Sequence, residues 1–278
     1  MSSHHRTALV YDFDGTLARG NVQEHSFIPE IGLSKEDFWS EVKRRTKHHD
    51  ADEILVYMHY MLEAAFESGH PITREALEAH GKSTPLFDGL DTWFERINEY
   101  GARQGLEIEH YIISSGNLEF IRGSEITQHF RQIFASKFMF DEDDEAIGPA
   151  LAINYTNKTQ YLFRINKGID NAWDNDAVNR WIPLDDRPVP FNRMIFFGDG
   201  ATDIPSMKMV RHQGGCSIAV FDPEAFSKVA SQDKIHRLIA EDRVHYVAPA
   251  DYSEGSQLEV ITKGALGRIA REAGSRSG

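Results

Sequence analysis

Short apolar runs alternate along the chain with segments in which apolar residues recur at helical spacing. Continuous apolarity within the runs indicates strands buried on both faces, as in a parallel sheet covered by helices. Between the runs, Leu90, Trp93 and Ile97 repeat at helical spacing, as do Leu162 and Ile165. Strands that alternate with helices predict a doubly wound α/β fold with right-handed crossovers. The predicted strands are 8–11, 111–113, 194–197, 217–220 and 244–247.

Residues 21–85 interrupt this alternation because they contain helical patterns and no strand candidate. Ser34, with Asp37 three residues later, is a helix-start signal. A second apolar stripe runs from Ile54 to Phe66, and a third helix is predicted to begin at Thr73. We therefore predict a small helical domain at residues 21–85, inserted into an α/β core formed by residues 1–20 and 86–278.

Three smaller patterns within and beyond this insertion are also interpreted structurally. Four large side chains of the insertion are interpreted as its core in preference to a ligand-facing position; they are Trp39, Tyr57, Met58 and Met61. The basic run 43–49 is interpreted as a solvated helix end in preference to a contact with an anionic part of a ligand. Residues 139–157 are predicted as a hairpin or flap beside the core. The five acidic residues 141–145 would be its solvated turn, since five adjacent carboxylates cannot converge on one ion.

Composition narrows the possible partners. The chain has 278 residues, with 43 acidic and 30 basic side chains and a formal net charge of −13. This balance argues against a nucleic-acid or anionic-membrane binder and leaves room for a small anionic ligand. Cys216 is the single cysteine, which excludes intrachain disulfides and Cys-rich metal sites. Apolar runs fall far short of the ~20 residues that span a bilayer, and no signal peptide is evident. A cytoplasmic monomer or homodimer is expected.

Two acidic motifs follow predicted strands. Asp12-Phe13-Asp14-Gly15-Thr16-Leu17 follows the first strand, and Gly198-Asp199-Gly200 through Asp203 follows the strand at 194–197. Alone, the first motif also fits an Asp-Gly turn. Together, four carboxylates fall where open α/β sheets bind ligands, and they would repel one another without a cation. Mg²⁺, which prefers oxygen ligands, is the predicted metal.

Two further segments have features that suit phosphate. Ser114-Ser115-Gly116 follows the strand at 111–113, where free N–H groups and a hydroxyl can hold an oxyanion. The same segment also fits an ordinary strand-to-helix turn. Lys158 begins the helix that carries Leu162, an unfavourable place for a cation in the helix dipole. It is either a solvated surface group or a residue with a role at the site.

Taken together, these segments resemble the haloacid dehalogenase-like (HAD) superfamily, in particular phosphoserine phosphatase-like members with a helical C1-type cap. The likeness spans nearly the whole chain. Asp12 to Thr16 resembles the first motif, Ser114 the second, Lys158 the third, and Gly198 through Asp203 the fourth. The resemblance implies a phosphatase that hydrolyses a small-molecule phosphate monoester.

The resemblance also implies a role for each matching residue. Asp12 would be the nucleophile that forms an aspartyl-phosphate, and Asp14 the general acid and base. Mg²⁺ would be held by the Asp12 carboxylate, the Asp14 backbone carbonyl and Asp199, with Asp203 as a ligand or an orienting residue. The phosphoryl oxygens would be bound by Ser114 and Lys158, or by Ser115 if the register shifts by one residue, beside Gly116.

Departures from the family pattern concern the substrate. Phosphoserine phosphatases resemble one another in a Glu nine residues past the nucleophile, where this chain has Asn21, with Glu24 three residues later. The Gly-Gly that usually follows the second-motif Ser is Ser115-Gly116 here. These departures argue against phosphoserine as the substrate. Hydrolysis of a phosphate monoester is still expected.

Two other function classes remain open on the same core. The phosphoryl group could pass to an acceptor other than water, which would make the protein a phosphotransferase or mutase. A non-catalytic regulatory phosphate-binding protein is the other class, although none of the motifs is broken. Dehalogenase activity is disfavoured, since those enzymes resemble the phosphatases but lack the second aspartate.

Overall fold

The computed structural model describes residues 5–70, 72–200 and 202–276. Its strands are β1 (His5–Tyr11), β2 (Leu106–Asn117), β3 (Gln132–Phe140), β4 (Ala146–Leu151), β5 (Met194–Gly198), β6 (Cys216–Phe221) and β7 (Tyr246–Pro249). Its helices are α1 (Phe27–Glu30), α2 (Lys35–His49), α3 (Glu53–Ser68), α4 (Arg74–Gly81), α5 (Leu90–Arg103), α6 (Leu118–Gly123), α7 (Lys158–Lys167), α8 (Asn175–Asn179), α9 (Ile204–His212), α10 (Val229–Ala240) and α11 (Gln257–Arg276). Short 3₁₀ helices lie at Val22–Glu24, Thr127–His129, Leu184–Asp186, Phe191–Arg193 and Pro223–Ala225.

Within the described residues the seven strands form one sheet in the order β4-β3-β2-β1-β5-β6-β7. Neighbouring strands are parallel except β3 and β4, which are antiparallel. β1 lies at the centre, and its last residue, Tyr11, pairs with Ile112 of β2 and Phe197 of β5. The predicted doubly wound α/β fold is therefore confirmed.

Helices cover both faces of the sheet. Leu9 and Tyr11 of β1 belong to one apolar cluster, whereas Ala8 and Val10 belong to the other. Helices α5 and α11 contribute side chains to the first cluster, and α7 and α9 contribute to the second. Because alternate residues of each inner strand point to opposite apolar layers, successive residues in the middle of these strands are buried, which explains the continuous apolar runs.

The segment between β1 and α5 is helical. In α2, the Ser34 hydroxyl accepts a hydrogen bond from the Asp37 N–H at 3.0 Å, as the sequence signal predicts. Met58 and Met61 of α3 are fully buried, as expected. The segment also contacts the hairpin of β3 and β4, since the Ala146 N–H donates to the Ile72 carbonyl oxygen at 2.8 Å.

Two strand predictions need correction. The strand predicted at 244–247 is β7, Tyr246–Pro249, because pairing with β6 begins at Tyr246 although Val244 is already buried. The hairpin predicted from residue 139 is present, but its first strand begins at Gln132. The first half of β3 pairs in parallel with β2, and only the second half pairs with β4.

Three further features bear on the sequence predictions: Cys216, the acidic segment 141–145 and the length of the helices. Cys216 is buried in β6, as expected of a small core residue. The acidic segment 141–145 is the turn between β3 and β4, and most of its side chains are exposed. Among the described residues, no helix has both the length and the apolar character required to span a bilayer.

Candidate active site

The two acidic motifs lie side by side because β1 and β5 are neighbours. The Asp12 N–H donates to the Phe197 carbonyl oxygen at 2.9 Å, so the chain leaves both strands at the same edge of the sheet. One carboxylate oxygen from each of Asp12, Asp199 and Asp203 can be chosen so that all lie within 4.8 Å of one another. The structure thus brings together three of the four predicted carboxylates.

Lys158 is at the centre of this cluster. Its Nζ lies 2.9 Å from Asp12 Oδ2 and 2.8 Å from Asp203 Oδ1, and its side chain is fully buried. The other Asp12 oxygen, Oδ1, accepts a hydrogen bond from the Phe13 N–H at 2.7 Å. The interpretation of Lys158 as a solvated surface group is therefore wrong. Its place in the first turn of α7 is explained by the carboxylates that it contacts.

A second lysine reaches the cluster without any sequence signal. Lys234, in the middle of α10, places its Nζ 2.8 Å from Asp199 Oδ2, and its side chain is 38% exposed. A single lysine on a polar helix resembles many surface lysines, so only the packing of α10 against the loop after β5 reveals this contact.

The Asp14 side chain lies apart from the three-carboxylate cluster. Its Oδ1 accepts a hydrogen bond from the Val22 N–H at 3.0 Å, at the start of the inserted segment. A Cβ on Gly116 would lie 2.7 Å from Asp14 Oδ2, so the second motif touches Asp14 closely enough to require glycine. Gly15 has a φ of +69°, and a Cβ there would lie 2.9 Å from Asp199 Oδ2.

The two candidate phosphate-binding serines have different surroundings. Ser114 is fully buried, and its hydroxyl accepts a hydrogen bond from the Gly116 N–H at 2.9 Å. Ser115 is partly exposed, and its hydroxyl oxygen has no hydrogen-bond partner among the described residues. Both serines lie beside Asp14, at the end of β2.

Burial and charge shift the pKa values at the site. Burial raises the pKa of Asp12 well above its ordinary value, and the charge of Asp203 raises it further, whereas Lys158 opposes the rise. Burial raises the pKa of Asp14 to about 7. For Lys158, burial acts to lower the pKa, but the carboxylates of Asp12 and Asp203 outweigh it and the net shift is upward. A carboxyl group that titrates near neutral pH can both give and take a proton.

The donor set fits a hard divalent cation. Three carboxylates, those of Asp12, Asp199 and Asp203, face the two ammonium groups described above, an excess of one formal negative charge. Carboxylate oxygens are the ligands that Mg²⁺ prefers, and buried like charges are costly without a counter-ion. The residues therefore suit Mg²⁺ in both charge and chemistry.

A cavity of about 380 Å³ opens from Asp14 towards the inserted segment. Ser115, Gly116 and Thr202 line its inner end. Tyr155 lines the cavity from the core domain. The inserted segment contributes further lining side chains, which include Asn21, Gln23, Trp39, Lys43, Glu53 and Tyr57. The volume lies within the ordinary range for small-molecule sites.

Three residues of the inserted segment that the sequence assigned mainly to other roles also border the cavity. Trp39 and Tyr57, interpreted as core of the insertion, border the cavity, although Tyr57 is also buried. Lys43, interpreted as part of a solvated helix end, is exposed and borders it too. Helical periodicity separates a buried face from an exposed one, but it does not reveal which side chains lie at the boundary.

Several known proteins are similar to this chain. No protein-family model matches it. It is 26% identical over 279 residues to an uncharacterized protein of Borreliella burgdorferi, covering 90% of this chain and 93% of that protein. A HAD family hydrolase of Salmonella enterica serovar Typhi aligns with a TM-score of 0.57 at 16% identity, over 92% of this chain and 69% of that one. The chain has a HAD-like fold.

Two further solved structures share the HAD-like fold. A phosphoserine phosphatase described as a phospho-aspartyl intermediate analogue aligns with a TM-score of 0.52 at 15% identity, over 94% of this chain and 99% of that one. Cytosolic 5′-nucleotidase IIIB bound to cytidine aligns with a TM-score of 0.52 at 15% identity, over 98% and 88%. At these identities the likeness establishes the fold alone.

Proposed function

We propose that this protein is a Mg²⁺-dependent phosphatase that hydrolyses a small-molecule phosphate monoester through an aspartyl-phosphate at Asp12. The observation that carries the proposal is the meeting of Asp12, Asp199 and Asp203 around the buried Lys158. The likeness to the phosphoserine phosphatase with a phospho-aspartyl analogue supports it. The acidic composition and the limited volume of the cavity support a small substrate.

In the first step a carboxylate oxygen of Asp12 attacks phosphorus, and the bond from phosphorus to the ester oxygen breaks. Asp14 donates its proton to that oxygen, and the alcohol leaves. Lys158 binds a phosphoryl oxygen and opposes the rise in the Asp12 pKa that burial and the other carboxylates cause. The hydroxyl of Ser114, or of Ser115, and the Gly116 N–H would hold the remaining oxygens.

In the second step Asp14 takes a proton from water as the water oxygen attacks phosphorus, which frees Asp12 and inorganic phosphate. Asp12, Asp199, Asp203 and the Asp14 backbone carbonyl would hold Mg²⁺. When bound, the metal neutralises phosphoryl charge and orients the phosphoryl group. We further propose that residues 21–85 act as a cap that excludes water from the cavity.

The test is phosphate release from p-nitrophenyl phosphate with Mg²⁺. Asp12→Asn removes the nucleophile with little change in shape and is expected to abolish turnover. Asp143→Asn, in the exposed turn between β3 and β4, is the matched control and should keep wild-type rates. Inorganic phosphate as the product would support hydrolysis, whereas a phosphorylated acceptor would indicate a phosphotransferase or mutase. Full activity of Asp12→Asn would contradict the proposal.

A further inference from the structure

Each carboxylate of the three-carboxylate cluster has a lysine on one of its oxygens. Lys158 contacts two of them, since its Nζ lies beside Asp12 Oδ2 and Asp203 Oδ1. Lys234 contacts the third, with its Nζ 2.8 Å from Asp199 Oδ2. The proposed reaction uses Lys158 to bind a phosphoryl oxygen, but it leaves Lys234 without a role.

The backbone around Asp199 leaves room for this second lysine. Gly200, the next residue, has a φ of +122°, and a Cβ there would lie 2.8 Å from Lys234 Cε. Gly15 makes similar room for the carboxylate, because a Cβ there would lie 2.9 Å from Asp199 Oδ2. A side chain at position 200 would have to displace the stem of Lys234. The absence of a Cβ at both positions therefore permits a close contact between the lysine and the carboxylate.

The two oxygens of Asp199 differ in their partners. Oδ2 accepts the hydrogen bond from Lys234, whereas no hydrogen bond reaches Oδ1 from the part of the chain that the structure describes. Lys158 is fully buried, but the Lys234 side chain is 38% exposed, so Lys234 approaches the cluster from its more exposed side. A carboxylate held at one oxygen keeps a fixed orientation and can still supply the other oxygen as a ligand. Partners of this kind orient many metal ligands.

We infer that Lys234 is a positioning residue for the metal centre, which holds Asp199 Oδ2 and thereby presents Oδ1 to Mg²⁺. The inference rests on the proposed function, because it takes Asp199 as a ligand of that metal. Lys234 acts through Asp199 and not on the substrate. Helix α10 thus contributes to metal binding without supplying a ligand.

An ammonium group near a metal cation also has an opposing effect, because like charges repel. Solvent screens part of this repulsion, since Lys234 is partly exposed. Loss of a partner that orients a ligand typically weakens metal binding by about 10- to 100-fold. We therefore expect orientation to outweigh repulsion, with a net effect at the lower end of this range.

The test measures Mg²⁺ binding without any substrate, by isothermal titration calorimetry. Lys234→Met keeps an unbranched stem beside Gly200 and removes the ammonium group, so the Kd for Mg²⁺ is expected to rise about tenfold. Lys234→Arg keeps a charged N–H donor and should lie closer to the wild type than Lys234→Met. Lys228→Met, the same change at an exposed residue just before α10, should keep the wild-type Kd.

The unfolding temperature separates an effect on the metal from a general loss of stability. In EDTA, Lys234→Met should unfold close to the wild type, because substitutions at partly exposed positions usually change stability little. At a Mg²⁺ concentration between the two Kd values, the rise in Tm should be smaller in Lys234→Met than in the wild type. Lys234→Ala replaces Lys234→Met if that variant does not fold.

Three outcomes would overturn the inference. A wild-type Kd in Lys234→Met would show that Lys234 does not position Asp199. A lower Kd in that variant would show that Lys234 competes with the metal for the carboxylate. Neither of these results would contradict the proposed phosphatase function, because the wild type would still bind Mg²⁺. Failure of the wild type to bind Mg²⁺, with no difference from Asp199→Asn, would remove the proposed Mg²⁺ dependence and this inference with it.

Discussion

At the scale of single residues, a buried chain of hydrogen bonds supports β1, the strand that Asp12 follows. The Trp93 Nε1 donates to the Tyr11 oxygen at 3.0 Å, and the Tyr11 hydroxyl donates to His110 Nδ1 at 3.2 Å. The His110 Nε2 then donates to Asn98 Oδ1 at 2.9 Å. Since His110 accepts at one nitrogen and donates at the other, the chain requires a neutral imidazole.

This requirement predicts a pH dependence of stability. Burial lowers the pKa of His110 to about 3, and the neighbouring His129 adds to the effect, whereas an unfolded histidine titrates near 6.5. Between these values only the unfolded state takes up the proton. The contribution of His110 is therefore complete above pH 6.5 and is lost as pH falls towards 3, by up to about 1.4 kcal/mol per pH unit.

Urea unfolding at pH 7 and pH 5 measures this contribution. His110→Gln cannot titrate, so its free energy of unfolding should fall less between pH 7 and pH 5 than that of the wild type. His59→Gln, at an exposed position of α3, should retain the wild-type difference. Equal pH dependence in all three proteins would show that folding does not lower the pKa of His110.

At the scale of elements, one helix cap also connects the inserted segment to the core. Asp52 caps α3 by accepting from the Ile54 and Leu55 N–H groups, at 2.9 and 3.1 Å. Its Oδ2 accepts from Asn154 Nδ2 at 2.7 Å, just before α7. Ser34 caps α2 in the same way, but its side-chain partner is Asp37 of the same helix.

The two caps form a matched pair of tests. Ser34→Ala and Asp52→Ala should each lower the free energy of unfolding by about 1 kcal/mol. Only Asp52→Ala removes a contact between the inserted segment and the core, so only it should also lower kcat/KM on p-nitrophenyl phosphate, by severalfold. Asp52→Asn, which can still cap α3, should lie closer to the wild type. Equal kcat/KM in both alanine variants would contradict a role for this connection.

The strands differ in how well the sequence predicts their bounds. The inner strands were predictable because burial on both faces makes their whole length apolar, as in β5. The start of β7 was not, because burial of Val244 precedes the first pairing at Tyr246. The first half of β3 was missed because its apolar run is only three residues long, between Gln132 and Ser136.

The same contrast holds for the candidate site. Asp12, Asp199 and Asp203 were predictable because each lies directly after, or close after, an apolar strand end. Lys234 and Gln23 were not, because their contacts depend on how α10 and the inserted segment pack against the core. Motif spacing identifies groups that share a strand end, but it carries no information on groups brought in by separate elements.

At the scale of the whole molecule, Mg²⁺ is expected to stabilise the folded protein as well as to support the reaction. A cation that binds the folded chain and not the unfolded one stabilises it by about 2.7 kcal/mol at a concentration 100 times its Kd. Mg²⁺ should therefore raise the Tm by several degrees, and EDTA should reverse the rise. Asp199→Asn should remove most of this response, whereas Asp143→Asn should retain it. A wild-type Tm that does not change with Mg²⁺ would contradict the assignment of the site.

The account as a whole depends on Asp12 carrying the phosphoryl group during turnover. The most direct measurement is mass spectrometry of the protein quenched in acid while it hydrolyses p-nitrophenyl phosphate with Mg²⁺. One added phosphoryl group is expected on the peptide that contains Asp12, and none in Asp12→Asn. A phosphoryl group on another residue, or rapid turnover in Asp12→Asn, would contradict it.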